Sequence, residues 1–513
     1  MKRLDYIEPP ETGPRPGPTL GLGPGPVPGL GLAPAPGTVL EARGLGFRFR
    51  EDGPWLLEGL NLDLREGETV LLMGPSGCGK STLALLLAGL YPEYGGHSVG
   101  SVRCREGELK DLSPERRARE VSIVFQNPDD QFVMDTVAGE ILFALENVAY
   151  RGDYRARLGE LLETVGLPGF GGRKVLYLSG GEKQKLSLAT ALATEPRLLI
   201  LDEPLANLDR ESGQDIARAL EALARGKMGL LVIDHRTEPW LGWLDRIILL
   251  DGDGREIAPN LTPGMARENP GIFERLRIFG PGEPQRHGSR ARPLDPGGGE
   301  APAVLAEDLT LRRGKELIWE RVSLSARRGT ITAIMGPSGI GKSSLLLALS
   351  GFLRVKGRLE VHGRVGLVFQ NPGFQFLTQK VISEIALSLA PGGKKAAGGE
   401  GGMDPGIFER ARGLALEFGL GDSLDRSPWQ LSQGQQRRLA VLTMLAAKAD
   451  ILFLDEPTYA QDLRSTDHIM ALLEAEVEKG LTAVMATHDL GLAKFYADRI
   501  YAFGGKSLSL MKD

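Results

Sequence analysis

The chain has 513 residues, 42% of them hydrophobic and 25% charged. Those proportions belong to globular domains and exclude a wholly disordered or fibrous protein. At roughly 150 residues per domain, the length suggests about three domains. Sixty-one Lys and Arg against 66 Asp and Glu leave a net charge of −5, which argues against nucleic-acid binding by bulk positive charge. Two cysteines, Cys78 and Cys104, cannot build a disulfide framework and suit a reducing cytosol. No apolar run reaches the roughly 18 residues of a membrane span. The opening MKRLDYIEPP has no apolar core behind its basic residues, so no secretory signal is expected.

Residues 1–37 hold ten Pro and eight Gly and read as a flexible or polyproline-II arm. From residue 38 the pattern is β/α. TVLLMG (69–74) is a short apolar strand, a Gly-rich turn follows, and KSTLALLLAGL opens a helix. TVAGEILFALENVAY and RARLGELLETVGL turn helical between Gln126 and Ser179. RLLILDE (197–203) and LLVIDH (230–235) are continuous apolar runs, as in buried parallel strands. The same series then returns. GPSGCGKST (74–82) recurs as GPSGIGKSS (336–344), and VFQNP (124–128) recurs at 368–372. LSGGEKQ (178–184) becomes LSQGQQR (431–437), LILDEP (199–204) becomes LFLDEP (452–457), and IDHR (233–236) becomes ATHD (486–489). One domain has been duplicated, and each copy, 38–260 and 303–513, is long enough for its own core. Residues 261–302, with FGPGEPQRHGSRARPLDPGGGEAP, read as an exposed linker. PGGKKAAGGEGGMDPG (391–406) is extra in the second copy.

Gly74-Pro75-Ser76-Gly77-Cys78-Gly79-Lys80-Ser81, followed by Thr82, fits the phosphate-loop pattern G-x-x-x-x-G-K-[ST]. So does Gly336-Pro337-Ser338-Gly339-Ile340-Gly341-Lys342-Ser343, followed by Ser344. Glycines let the backbone wrap a polyphosphate, and the following helix N-terminus adds a favourable dipole. Lys80 and Lys342 are expected to reach the β/γ-phosphates, and Ser81 and Ser343 to ligate Mg²⁺. Asp202 and Asp455 end apolar strands and can hold Mg²⁺; the adjacent Glu203 and Glu456 can polarise an attacking water. His235 and His488 follow a third apolar strand in register and suit a γ-phosphate or water-positioning role. Ser179-x-x-Glu182 and Ser432-x-x-Gln435 read as capping boxes that start helices. The same Ser- and Gly-lined N-termini are anion sites that could serve the other copy's nucleotide. Cys78 reads as a small space-filling residue, or as a thiol whose alkylation would block nucleotide binding.

Phosphate loop, Gln loop, LSGGE or LSQGQ, LDEP and His, in that order, resemble the nucleotide-binding domain of the ATP-binding cassette (ABC) family across nearly all of 38–260 and 303–513. The resemblance implies an α/β fold of two P-loop NTPase domains, ABC-type and RecA-like, each with a small antiparallel β part and a helical subdomain. It implies ATP and Mg²⁺ as ligands, and an intramolecular head-to-tail dimer of the two cassettes. Site one would join Lys80, Gln126, Glu203 and His235 with Ser432 and Gly434; site two would join Lys342, Gln370, Glu456 and His488 with Ser179 and Gly181. Gln126 and Gln370 would also face Mg²⁺, and Asp209 and Asp462 match the family's D-loop position.

Phe125-Gln126-Asn127-Pro128-Asp129-Asp130-Gln131-Phe132 with TVAGEILFALEN further resembles the ATPases of energy-coupling factor (ECF) importers. That implies an ATPase peripheral to the cytoplasmic face of the cell membrane. Its partners would be a transmembrane coupling protein and a small membrane subunit that captures a vitamin or a transition-metal ion, with no nucleic-acid partner. Two departures stand out. Phe49 suits adenine stacking in copy one, where copy two has Arg313; Gln433 replaces a signature glycine. Neither removes a catalytic residue, so two active sites of unequal affinity are expected. The rival readings are the tandem ATPase of another importer, such as a monosaccharide system, and a soluble ABC ATPase acting on ribosomes or nucleic acid.

Overall fold

The computed structural model describes residues 35–93, 95–205, 210–281, 301–314, 316–337, 339–390, 404–458 and 463–511. The expected Gly/Pro arm lies, up to residue 34, outside the described residues, as does most of the extra stretch of the second copy.

Each copy is built on a six-stranded sheet. In the first, the order is Glu256–Leu261, Arg246–Leu250, Thr69–Met73, Gly229–Ile233, Leu198–Asp202 and Val121–Val124. All neighbours pair in parallel except the outer Glu256–Leu261. The second copy runs Val365–Val368, Ile451–Asp455, Thr482–Thr487, Ile331–Met335, Arg499–Gly504 and Ser507–Leu510, again with one antiparallel edge. Every residue of Thr69–Met73, Leu198–Asp202 and Gly229–Ile233 is buried. Covered on both faces, such strands show continuous apolar runs rather than alternation.

One face of the first sheet meets an antiparallel sheet of Leu57–Arg65, Thr38–Arg48, His97–Cys104 and Gly107–Glu108. Phe47, Leu57 and Leu64 pack there with Leu72, Leu231 and the helix Lys80–Leu87. The other face packs Leu71, Leu199 and Leu230 against Ile141, Leu161 and Leu188 of the helices Val137–Asn147, Tyr154–Thr164 and Gly180–Ala193. The second copy repeats both layers. Each of these side chains contributes roughly 1.5–3 kcal/mol by burial, so the two-sided core holds the parallel strands in register. The expected architecture of β/α core, antiparallel part and helical subdomain is the one observed.

The linker expectation needs correction at its start. Pro263–Glu268 and Pro270–Leu276 are helices, the first capped by Thr262. Ala266, Phe273 and Ile278 are buried in the first copy's core, so this segment belongs to that domain. Residues 282–300 of the expected linker lie outside the described residues. Among the described residues no helix is long and apolar enough to cross a membrane.

Candidate nucleotide-binding and hydrolysis site

In an open parallel sheet, ligands bind beyond the carboxyl ends of the strands. Four neighbouring strands of the first copy end in the motif residues: Met73 leads into the phosphate loop, Asp202 into Glu203, Ile233 towards His235, and Val124 towards Gln126. Parallel register brings the ends level, with Asp202 opposite Ile233 and Val124 opposite Leu201. The second copy does the same with Met335, Asp455, Thr487 and Val368. Motifs scattered along each half therefore converge on one spot.

The phosphate loops close on their own lysines. Lys80 Nζ donates to the carbonyls of Gly74 at 2.8 Å and Pro75 at 3.0 Å; Lys342 Nζ donates to Gly336 at 2.7 Å and Pro337 at 3.1 Å. Both ammonium groups are buried. Gly79 and Gly341 precede the helices at φ 96° and 103°. A Cβ there would sit 2.8 Å from Leu57 or Trp319, so only glycine fits. Cys78 is buried, and a Cβ on Gly74 would meet its sulfur at 2.8 Å. The residue fills space under the loop. Ser338 lies outside the described residues, as do Asp209 and Asp462.

Beside each loop lies a buried acidic pair. Ser81 lies beside Asp202, and Ser343 beside Asp455, each hydroxyl favouring the charged carboxylate. Burial, then the neighbouring Glu203, pushes the Asp202 carboxyl up to about 6; burial likewise raises Asp455. Asp202 Oδ1 is buried and has no hydrogen-bond partner among the described residues. An orphaned carboxylate oxygen beside a serine hydroxyl is a donor set that fits Mg²⁺, a hard cation that takes few protein ligands beside phosphate.

Glu203 and Glu456 both adopt left-handed backbone, at φ 47° and 50°. Gln126 Nε2 donates to Glu203 Oε2 at 2.6 Å, and His235 Nε2 lies 2.8 Å from Oε1. Burial lifts the Glu203 carboxyl, but His235, Lys80 and Gln126 together outweigh it and hold it below its ordinary range. It is therefore an anion, as a base must be. In the second copy His488 Nδ1 lies 3.0 Å from Glu456 Oε2, and Lys342 Nζ lies 3.7 Å from Oε1. Gln370 is exposed there, where Gln126 is half-buried.

Ser179 and Ser432 cap Gly180–Ala193 and Gln433–Ala446 through complete capping boxes with Glu182 and Gln435. Both serines are exposed, with Gly181 and Gly434 in the first turn of each helix. Phe49 is exposed at the end of Thr38–Arg48, edge-on to Phe47 at 5.1 Å and to Tyr91 at 6.4 Å. Phe47 pairs with Leu57, the residue against Gly79, which puts this aromatic edge beside the loop. Arg313 occupies the matching place and pairs with Glu316. An ion pair joins the copies next to the histidines: Arg236 Nη2 lies 3.1 Å from Asp489 Oδ2.

Sequence reasoning missed two buried carboxylates that shape the Gln loops. Glu140 accepts from Val133 N at 3.0 Å and Met134 N at 2.7 Å. Glu384 accepts from Leu377 N at 3.0 Å, and from Thr378 N at 2.7 Å and its hydroxyl at 2.8 Å. Their signal was legible: each follows its Gln at the same spacing inside an apolar helix.

The ABC transporter family model matches residues 57–206 and 319–459, and the chain belongs to that family. It is an ABC ATPase with two cassettes. It is 34% identical over 501 residues to a Bacillus subtilis protein provisionally named HMP/thiamine import ATP-binding protein YkoD, covering 90% of this chain and 89% of that one. A Methanosarcina acetivorans protein, provisionally named an ABC transporter ATP-binding protein, is 33% identical over 509 residues, covering 86% and 81%. Among solved structures, the archaeal ribosome recycling factor aABCE1 in its stalk-protein complex superposes with a TM-score of 0.59 at 23% identity, over 91% of this chain and 89% of that one. An RNase-L inhibitor gives 0.58 at 22%, over 91% and 90%. These structural likenesses show the fold alone.

Proposed function

We propose that the chain is the ATP-hydrolysing coupling subunit of an ECF-type importer for a vitamin or a transition-metal ion, docked on the cytoplasmic face of a membrane. The observation that carries this reading is a pair of apolar surfaces, one beside each Gln loop. In the first cassette Val133, Leu176 and Tyr177 are exposed on segments joined by the Thr136–Lys174 bridge. In the second, Phe374, Leu377 and Trp429 are exposed, with Trp429 Nε1 donating to Gly373 O at 3.3 Å. Exposed apolar side chains clustered this way mark a protein-docking surface. The turn Pro128–Asp130 borders the first, with Asp129 held by Lys183 at 2.6 Å. The import name carried by the Bacillus subtilis relative supports the same reading.

Each site uses one cassette's Lys, Glu, His and Gln, and the proposal completes it with the signature serine of the other. Lys80 and Lys342 exchange their loop carbonyls for phosphate oxygens, which opens the loop around the nucleotide. Ser81 with Asp202, and Ser343 with Asp455, would hold Mg²⁺, which when bound neutralises charge on the β/γ-phosphates. Glu203 and Glu456 accept a proton from the attacking water, and His235 and His488 orient the acid that takes it. Ser179 and Ser432 already accept within their capping boxes, so each hydroxyl hydrogen stays available to a phosphate oxygen. Closure around two triphosphates and reopening after hydrolysis would move the docked partner.

Affinity purification of the full chain from its native membranes tests the reading. A transmembrane scaffold with a small capture subunit, and ATPase activity raised by that complex, is the expected result. Purification with ribosomes instead, or stimulation by RNA alone, refutes it.

A further inference from the structure

The two cassettes repeat one another's motif residues but differ at a buried position just behind the acid. Helix Gln433–Ala446 carries Arg437 where helix Gly180–Ala193 carries Gln184. Both side chains are 2% exposed. Arg437 Nη2 donates to the Gln370 carbonyl at 2.7 Å, and its Nη1 donates to the Glu456 carbonyl. Gln184 does neither: both of its amide atoms are buried with no hydrogen-bond partner among the described residues.

The difference changes how each acid is held. Glu456 sits at φ 50°, a left-handed conformation that its surroundings must enforce. Its N–H donates to Ala486 O at 2.9 Å, and its carbonyl is gripped by Arg437, so the peptides on both sides are fixed. The same guanidinium fixes the backbone of Gln370, whose side chain is exposed. Glu203 likewise donates its N–H, to Ile233 O at 2.9 Å, and like Glu456 meets its histidine, but its further hold is the Gln126 side chain on its carboxylate at 2.6 Å rather than a guanidinium on its carbonyl. A guanidinium suits such a clamp because its planar fork offers two parallel donors in fixed geometry.

We propose that Arg437 is a positioning residue for hydrolysis in the second cassette, clamping the Gln loop and the Glu456 peptide to the helix led by Ser432, while the first cassette lacks this clamp and depends on the Gln126 side chain. The proposal rests on the ATPase reading above. It predicts that the cassettes differ in what their catalysis tolerates although both carry the same Lys, Gln, Asp, Glu and His. A displacement of about 1 Å at a reacting group can cost on the order of 10²-fold in rate, so loss of the fork falls on turnover rather than on ATP binding.

The test is phosphate release by the full chain in variants that leave one acid working. In a Glu203→Gln background, Arg437→Gln should lower kcat at least tenfold with KM for ATP within twofold. Arg437→Lys, which keeps the charge but not the fork, should fall between. Gln is what the first cassette already carries at this position, which favours folding, and binding of a fluorescent ATP analogue checks that the site is intact. In a Glu456→Gln background, Gln184→Ala should change kcat less than twofold. An unchanged kcat in Arg437→Gln, a loss of analogue binding that parallels the loss of rate, or an equal loss from Gln184→Ala overturns the clamp. A wild-type chain without ATP hydrolysis refutes the functional reading and the clamp together; an active wild type with an indifferent Arg437 refutes the clamp alone.

Discussion

Replacing Glu203 or Glu456 with Gln probes the proposed chemistry most sharply, because Gln keeps the volume and removes only the proposed base. Both carboxylates are buried, at 9% and 7% exposure, and a base shielded from bulk water is not readily replaced by solvent. A positioned general base contributes typically about 10²–10⁴-fold. Glu203 is held at 2.6 Å by Gln126 and 2.8 Å by His235, geometry that belongs towards the upper part of that range. Each altered site should therefore contribute almost nothing at saturating Mg-ATP. With the partner site intact, either single variant should keep about half the wild-type rate or less, and the double variant should lose at least about a hundredfold. Steady-state phosphate release measures this, and equilibrium binding confirms that ATP still binds. A single variant at the full wild-type rate would show that its cassette is silent and would refute the two-site reasoning.

The remaining expectations concern the loop, the metal and the docking face. Glu140→Gln withdraws a charged acceptor from the amides of Val133 and Met134. At roughly 1.5–3 kcal/mol per charge-assisted bond, hydrogen exchange at those two amides should speed at least tenfold, and unchanged protection would contradict the anchoring role. Asp202 is pushed up to about 6, so the nucleotide-free protein carries it protonated below that pH and charged above it. Mg²⁺ needs the anion, so the gain in ATP affinity on adding Mg²⁺ should be full near pH 8 and fade as the pH falls through 6. Calorimetric titration should show this fading in the wild type and a small, pH-independent gain in Asp202→Asn. Trp429→Ser combined with Phe374→Ser should leave phosphate release by the isolated chain within about twofold but abolish co-purification with membrane components; retained co-purification would move the docking surface elsewhere.

How much could be read without coordinates depended on where the constraint lies. The strands ending at Met73, Asp202 and Ile233 were legible because strands buried on both faces must be continuously apolar, and the loops were legible because wrapping a phosphate demands Gly at particular places. Repetition of the series in both halves then separated functional residues from ordinary turns. The helices Pro263–Glu268 and Pro270–Leu276 were hidden behind their Pro and Gly, which read as linker until Phe273 and Ile278 were seen in the core. Pro in the first turn starts a helix as readily as it marks a loop. Glu140, Glu384 and Arg437 escaped for another reason. Their partners are mainly backbone atoms, which no residue type marks, so the signal was the equal spacing of Glu140 and Glu384 from their Gln residues.

In the proposed closed state each nucleotide lies between one cassette's phosphate loop and the other's signature serine. A structure of the Glu203→Gln/Glu456→Gln chain with Mg-ATP tests it directly. Ser432 Oγ is expected within hydrogen-bonding distance, about 3 Å, of the terminal phosphate bound at Lys80, and Ser179 Oγ equally close to the one at Lys342. Two bound ATP molecules with both serines turned away to solvent would contradict it.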